Sequence, residues 1–160
     1  KISRMDNRAK GDDRPAVLAV ASFGGHLVQL MRTLHPLRES CRIVYVSTAE
    51  EARPTDGSTF YTVRDFSRTD AWRSPAQLLR LHRIIRQERP AMVISTGAAP
   101  GLMAVIVARL MGIRTLWIDS VANADHLSLC GRIAAHISSR TLTQWPHLAN
   151  SRVEYKGNVL

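Results

Sequence analysis

Residues 16–26 read AVLAVASFGGH, and LVQLMRTL follows them at 27–34. Ala16–Ser22 is a short, nearly unbroken apolar run. A segment of that length with no polar face is expected to be a strand buried on both sides, as in a parallel sheet. Gly24-Gly25 breaks the run. Beyond it the apolar residues Leu27, Leu30, Met31 and Leu34 recur at i, i+3, i+4 and i+7, the spacing of one helix face, with an end near Pro36. Strand, glycine turn and amphipathic helix form the repeating unit of an α/β protein.

The same alternation continues outward. Ile43–Ser47 is expected to be a strand, then Phe60–Val63 after a polar stretch holding Pro54, Asp56 and Gly57. Ser74-Pro75 has the chemistry of a helix start, with a serine to accept free amides and a proline at the first helical position. Leu78, Leu81, Ile84 and Ile85 give that helix its expected buried stripe, and Arg89-Pro90 ends it. Met92–Ser95, a turn over 96–101, a helix over 102–111 and Thr115–Asp119 complete a strand–helix–strand unit. A helix over 127–138, a strand over 140–143 and an extended piece Val153–Tyr155 close the chain. The expected fold is α/β, a Rossmann-like doubly wound parallel sheet, in which ligands sit beyond the carboxyl ends of the strands.

Composition bounds the rest. The 160 residues carry 22 Lys+Arg against 13 Asp+Glu, a formal charge of +9, with 45% hydrophobic content. This suits one globular domain, expected over 15–160 behind a flexible basic extension at 1–14. All the basic residues except Lys1, Lys10 and Lys156 are arginine. A genome that favours arginine codons is one reading of that, but the charge is also placed unevenly. Residues 15–63 are neutral, whereas 64–90 hold seven arginines against three acids, which points to a local anionic partner. Trp72, among Arg64, Arg68 and Arg73, reads either as an anchor to anionic lipid or as an aromatic folded under its own loop. Nucleic acid is not expected as a partner, for no helix-turn-helix, RNP or zinc pattern accompanies the charge.

Cys41 and Cys130 are isolated, so neither a disulfide framework nor a zinc site is expected. The charge-free stretch 91–108 is broken by Gly97, Pro100 and Gly101, and is better explained as strand, turn and buried helix than as a membrane span.

The candidate site residues follow the strands. Ser22, Gly24 and Gly25 form a turn able to bring amides to an anion at a helix N-terminus, or simply a tight connection. His26 stands beside it, either a neutral imidazole able to accept a proton or a surface residue at a helix cap. Ser95, Thr96, Gly97, Ala98 and Gly101 form a second small-residue turn. Two such turns in one sheet suggest a phosphate or diphosphate between them, and small residues also permit close strand–helix packing. Asp119, followed by Ser120 and Asn123, is either a helix cap or an active-site acid or base. His35, His82 and His136 read as structural.

ASFGGH, ISTGAAPG, WIDSVANADHLSLCGR, TQWPHL and YKGNVL, in that order over 16–160, resemble the bacterial exopolysaccharide-synthesis family of PssD type. That family is related to the membrane-side subunit of the eukaryotic split N-acetylglucosaminyltransferase and, more remotely, to the N-terminal half of MurG. The resemblance implies the acceptor-side half of a GT-B glycosyltransferase. A PssE-like partner chain would bind the nucleotide-sugar donor, so no cofactor is expected on this chain. The two glycine turns would meet the diphosphate of a polyprenyl-linked sugar acceptor, with Ser120 and Asn123 nearby. His26 is the first candidate for the base that deprotonates the acceptor hydroxyl, and Asp119 the second. No aspartate pair with DxD spacing is present, so no metal is expected. The eukaryotic relatives carry a membrane-spanning helix absent from this sequence. Contact with an anionic membrane is therefore expected through Arg68, Trp72 and Arg73, on the cytoplasmic face of the inner membrane. The competing expectation is a non-catalytic docking subunit that recruits a catalytic partner.

Overall fold

The structure, a computed structural model, describes residues 13–64 and 75–158. The extension up to residue 12, and Arg68, Trp72 and Arg73 with their expected membrane contact, lie outside the described residues. Seven strands form one parallel sheet: β1 (Ala16–Val20), β2 (Arg42–Ser47), β3 (Thr59–Thr62), β4 (Met92–Ser95), β5 (Arg114–Ile118), β6 (Arg140–Thr143) and β7 (Glu154–Tyr155). Their spatial order is β3-β2-β1-β4-β5-β6-β7. The chain winds outward from β1 in one direction and then returns to its other side at β4. The boundary between β1 and β4 is thus the topological switch point, the place where open α/β sheets receive ligands.

Among the described residues four α-helices cover the sheet: α1 (Gly25–Leu34), α2 (Pro75–Glu88), α3 (Ala98–Leu110) and α4 (Leu129–Ile137). Side chains alternate between the two faces, as the strand repeat of two requires. Leu18, Val20, Val44, Val46 and Val93 meet Leu81, Ile85, Met103 and Ala104 of α2 and α3. Val17, Ala19, Ile43, Tyr45 and Ile94 meet Leu27, Leu30 and Leu34 of α1. Trp117 packs with Val105 and Ala134 between α3 and α4. The register places Leu18 between Val44 and Val93, all three fully buried, so the centre of the sheet is sealed on the three-helix side. Full burial of a side chain of this size contributes about 1.5–3 kcal/mol.

Two expectations need correction. The third helix begins at Ala98, inside the expected turn, because Pro100 falls in the first helical turn, where its missing N–H costs nothing. Leu78 is exposed, as is Leu79, and the buried stripe of α2 instead runs through Gln77, Leu81, Ile84 and Ile85. A 3-10 turn over His35–Arg38 follows α1 and takes in Pro36 and His35.

Candidate functional site

The turns after β1 and β4 lie side by side at the switch point and are locked together. Thr96 Oγ1 donates to the His26 carbonyl at 2.6 Å, and His26 Nδ1 lies 3.1 Å from the Thr96 carbonyl oxygen. His26 is the second residue of α1, half-buried, and Gly24 caps the helix at φ 101°, a left-handed conformation that favours glycine. Gly97 caps α3 in the same way, at φ 143°. Ala98 follows at φ 62°, so the second turn holds a strained non-glycine residue at the rim. The leading amides of α1 (Gly25, His26) and of α3 (Ala98, Ala99) lack intrahelical acceptors, as at any helix start. Phe23, 59% exposed, stands beside them, its own amide held by Thr48 Oγ1 at 2.9 Å.

The side chains of the second turn face inward. Ser95 and Thr96 are fully buried; Ser95 Oγ accepts from the Gly97 amide at 3.2 Å, and Thr96 makes the bond to His26. Gly101 is buried against β4, and a methyl group there would come within 1.9 Å of Ser95 Oγ. These residues shape the turn, in which Gly97 is buried beneath the His26 ring and Ala98 and Ala99 are half-buried. Ser22, Gly24 and Gly25 stay at or near the surface of the first turn.

Asp119 closes β5 on the α4 side of the sheet and is 1% exposed. Its Oδ1 accepts from Trp117 Nε1 at 3.1 Å and Ser128 Oγ at 2.7 Å. Its Oδ2 accepts from Asn123 Nδ2 at 3.1 Å and the Ser128 amide at 3.0 Å. Four donors fill both oxygens, and Asn123 spends its amide nitrogen inside the same loop. Ser120 Oγ likewise accepts from the Ala122 amide at 3.3 Å. Ser128, rather than Asp119, caps α4 directly, accepting from the Gly131 amide at 2.8 Å.

Several residues not singled out in the sequence hold this loop. Gln29 of α1 donates to the Asp119 carbonyl at 3.4 Å and accepts from the Val121 amide at 3.2 Å. Gln144 donates to the same carbonyl at 3.0 Å. Trp145 Nε1 donates to the Val121 carbonyl at 2.8 Å, and His147 Nε2 lies 2.6 Å from that of Ala124. Gln29 carries the one legible signal, a polar residue beside the apolar stripe of α1 and one turn beyond His26. The same helix therefore fixes both loops.

A shallow cavity of about 390 Å³ lies at the other end of α1, lined by Met31, Arg32, His35, Pro36 and Arg38, away from both glycine turns. A smaller one of about 140 Å³ lies where Gln144 meets Lys156, Gly157 and Asn158. Among the described residues no cluster of His, Cys, Asp and Glu is arranged to hold a metal, and no helix is long and apolar enough to cross a membrane.

With the geometry in place, comparison with known proteins assigns the chain. In structure it is similar to MurG of Acinetobacter baumannii, with a TM-score of 0.76 at 13% identity over 90% of this chain. It also resembles the UDP-N-acetylglucosamine 2-epimerase of Rickettsia bellii, with a TM-score of 0.67 at 14% identity. It spans about half of each, 46% and 45%, and at such identities the likeness establishes the fold, a Rossmann-like unit of GT-B type. In sequence it is similar to the UDP-N-acetylglucosamine transferase subunit ALG14 of Yarrowia lipolytica, 24% identical over 89% of this chain and 80% of that protein. The human subunit of the same name is 22% identical over 83% and 76%. The family model described as "Oligosaccharide biosynthesis protein Alg14 like" matches residues 50–159, which is most of the sequence, and the chain belongs to that family.

Proposed function

We propose that this chain is the membrane-docking subunit of a two-chain glycosyltransferase, recruiting a donor-binding partner to a lipid-linked acceptor. The observation that carries this reading is a Rossmann-like unit spanning about half a GT-B chain, in a sequence whose relatives are named as transferase subunits. A PssE-like partner would supply the donor-side half of the fold and carry the nucleotide sugar, with UDP-N-acetylglucosamine as the donor suggested by the relatives' names. In a bacterium the pair would serve exopolysaccharide or glycolipid synthesis, as PssD-type proteins do, on the cytoplasmic face of the inner membrane.

The exposed side of α2 supports the docking role. Leu78, Leu79, Arg80, Arg83 and Arg86 are exposed there. Glu88, the acid of that helix, is already engaged by Arg42 at 2.8 Å and by the Tyr61 hydroxyl at 2.5 Å. An outward face of leucine and arginine suits an anionic lipid surface, with Arg68, Trp72 and Arg73 extending the same basic segment. Flotation with vesicles of phosphatidylglycerol and phosphatidylcholine tests it. The chain should float with anionic vesicles and carry the partner with it, and Arg80→Gln/Arg83→Gln should lose most of that binding. A partner that floats equally well without this chain overturns the reading.

A second reading adds acceptor chemistry to the same chain. It is favoured by the locked pair of turns, which presents His26 and two sets of helix-leading amides on one rim. Here the backbone of Gly24, Gly25, Gly97 and Ala98 would hold the acceptor diphosphate, and His26 would take the proton of the attacking hydroxyl. The buried, four-donor Asp119 would anchor its loop. His26→Ala should then lower turnover of the reconstituted pair by about 10²–10⁴-fold while leaving recruitment intact. Unchanged turnover leaves docking as the chain's whole role.

A further inference from the structure

We infer that the turn at Thr96-Gly97 is a positioning device that holds His26 in a single tautomer, with Nδ1 protonated and Nε2 free to accept a proton. This inference deepens the acceptor reading of the same site and rests on it for its catalytic meaning. Its physical content stands on the geometry alone.

A carbonyl oxygen can only accept. With the Thr96 carbonyl 3.1 Å from Nδ1, the hydrogen bond forms when Nδ1 carries the proton. The neutral ring then has its lone pair on Nε2, which has no hydrogen-bond partner among the described residues. Which nitrogen of a histidine acts is set by the bond the other makes. The bond at the His26 backbone works in the same direction. Thr96 Oγ1 donates to the His26 carbonyl at 2.6 Å, so one residue fixes the backbone of His26 with its hydroxyl and the ring with its carbonyl.

Gly97 completes the device by what it lacks. A methyl group at its α-carbon would come within 2.6 Å of both Cε1 and Nδ1 of the His26 ring and 3.3 Å of Nε2. The ring therefore lies against a bare α-carbon, and any side chain at 97 displaces it. Loss of that contact would free the ring to rotate, releasing Nδ1 from its carbonyl and mixing the tautomers. A displacement of about 1 Å at a reacting group costs on the order of 10²-fold in rate.

Nitrogen-detected NMR of the full chain, labelled at histidine, reads the tautomer without any activity assay. At a pH where the ring is neutral, His26 should show a protonated Nδ1 and a pyridine-like Nε2. Gly97→Ala should convert this to an averaged pattern and lower turnover of the reconstituted pair by about 10²-fold, mainly in kcat. Thr96→Val keeps the carbonyl and removes the hydroxyl, and should retain the tautomer. A wild-type His26 with Nε2 protonated, or an averaged pattern, overturns the inference whatever His26→Ala does. The predicted tautomer together with full turnover in His26→Ala would instead remove the base and leave the positioning in place.

Discussion

Gly131 lies directly under the carboxylate of Asp119. A methyl group at Gly131 would stand 2.4 Å from Oδ1 and 2.9 Å from the carboxyl carbon. The first turn of α4 therefore approaches the end of β5 only because position 131 has no side chain. That approach lets Ser128 give both its amide and its hydroxyl to one carboxylate.

Gly131→Ala tests this contact. Alanine is the better helix former by about 1 kcal/mol at an exposed position, so propensity alone predicts stabilisation. Steric conflict with a buried carboxylate costs about 1–3 kcal/mol and disturbs its hydrogen bonds as well. Once the propensity gain is subtracted, the net expectation is a loss of up to about 2 kcal/mol, read as a lower urea midpoint. A midpoint at or above that of the wild type would show that the helix slides away without penalty.

Asp119→Asn separates anchoring from acid–base chemistry. Every orientation of an amide here turns an NH2 group toward donors, since Trp117 and Ser128 supply one oxygen and Asn123 and Ser128 the other. Hydrogen bonds to a charged acceptor contribute about 1.5–3 kcal/mol, and a loss of that order is expected in urea unfolding. Turnover of the pair should fall only as far as the folded fraction does. An unchanged midpoint with abolished turnover would make Asp119 the base.

What the sequence disclosed and what it withheld follow the range of the interactions concerned. Met92–Ser95 and Arg140–Thr143 are strands with the same bounds in sequence and structure, because short apolar or β-branched runs between breakers are a local signal. The start of α3 was not legible. Gly97 and Pro100 both read as breakers, yet Gly97 caps the helix, Pro100 falls in its first turn, and Gly101 lets that turn approach Ser95. Leu78 satisfied the helical period, yet the interior received Gln77 instead, which depends on how α2 is rotated against the sheet. The turns flanking the switch point could be found from their glycines. The role of Asp119 could not, for it is decided by Ser128, Gly131, Gln29 and Gln144, which the fold brings together from three other segments.

Arg89 offers a stabilising substitution. It follows α2 at φ 46°, in the left-handed region, and its amide closes the helix onto the Ile85 carbonyl at 2.9 Å. Glycine is the residue preferred at such a position, because a β-carbon there is crowded by the following carbonyl. The arginine side chain is exposed, so little packing is lost with it. Arg89→Gly should raise stability by about 0.5–1 kcal/mol with no change in the denaturant slope. Arg89→Ala retains the strain and should show no gain, and a gain of the same size in both variants would assign the effect to the lost charge.

Cys130 sits in the first turn of α4, where the helix dipole ordinarily favours a thiolate. Two effects oppose it here. Burial disfavours the charged form, and the neighbouring Asp119 carboxylate adds repulsion, so the thiol is held above its ordinary range. A raised value means less thiolate at any pH below it. Alkylation of Cys130 by iodoacetamide at pH 8 should therefore be slower in the folded chain than in urea. The folded-state rate should also keep climbing above pH 9, beyond the unshifted thiol value. Mass spectrometry of the labelled peptide against time and pH measures both. A folded-state rate equal to or faster than the unfolded one would mean that the helix dipole outweighs burial and the carboxylate. In that case the Asp119 cluster would be more open to water than its four hydrogen bonds indicate.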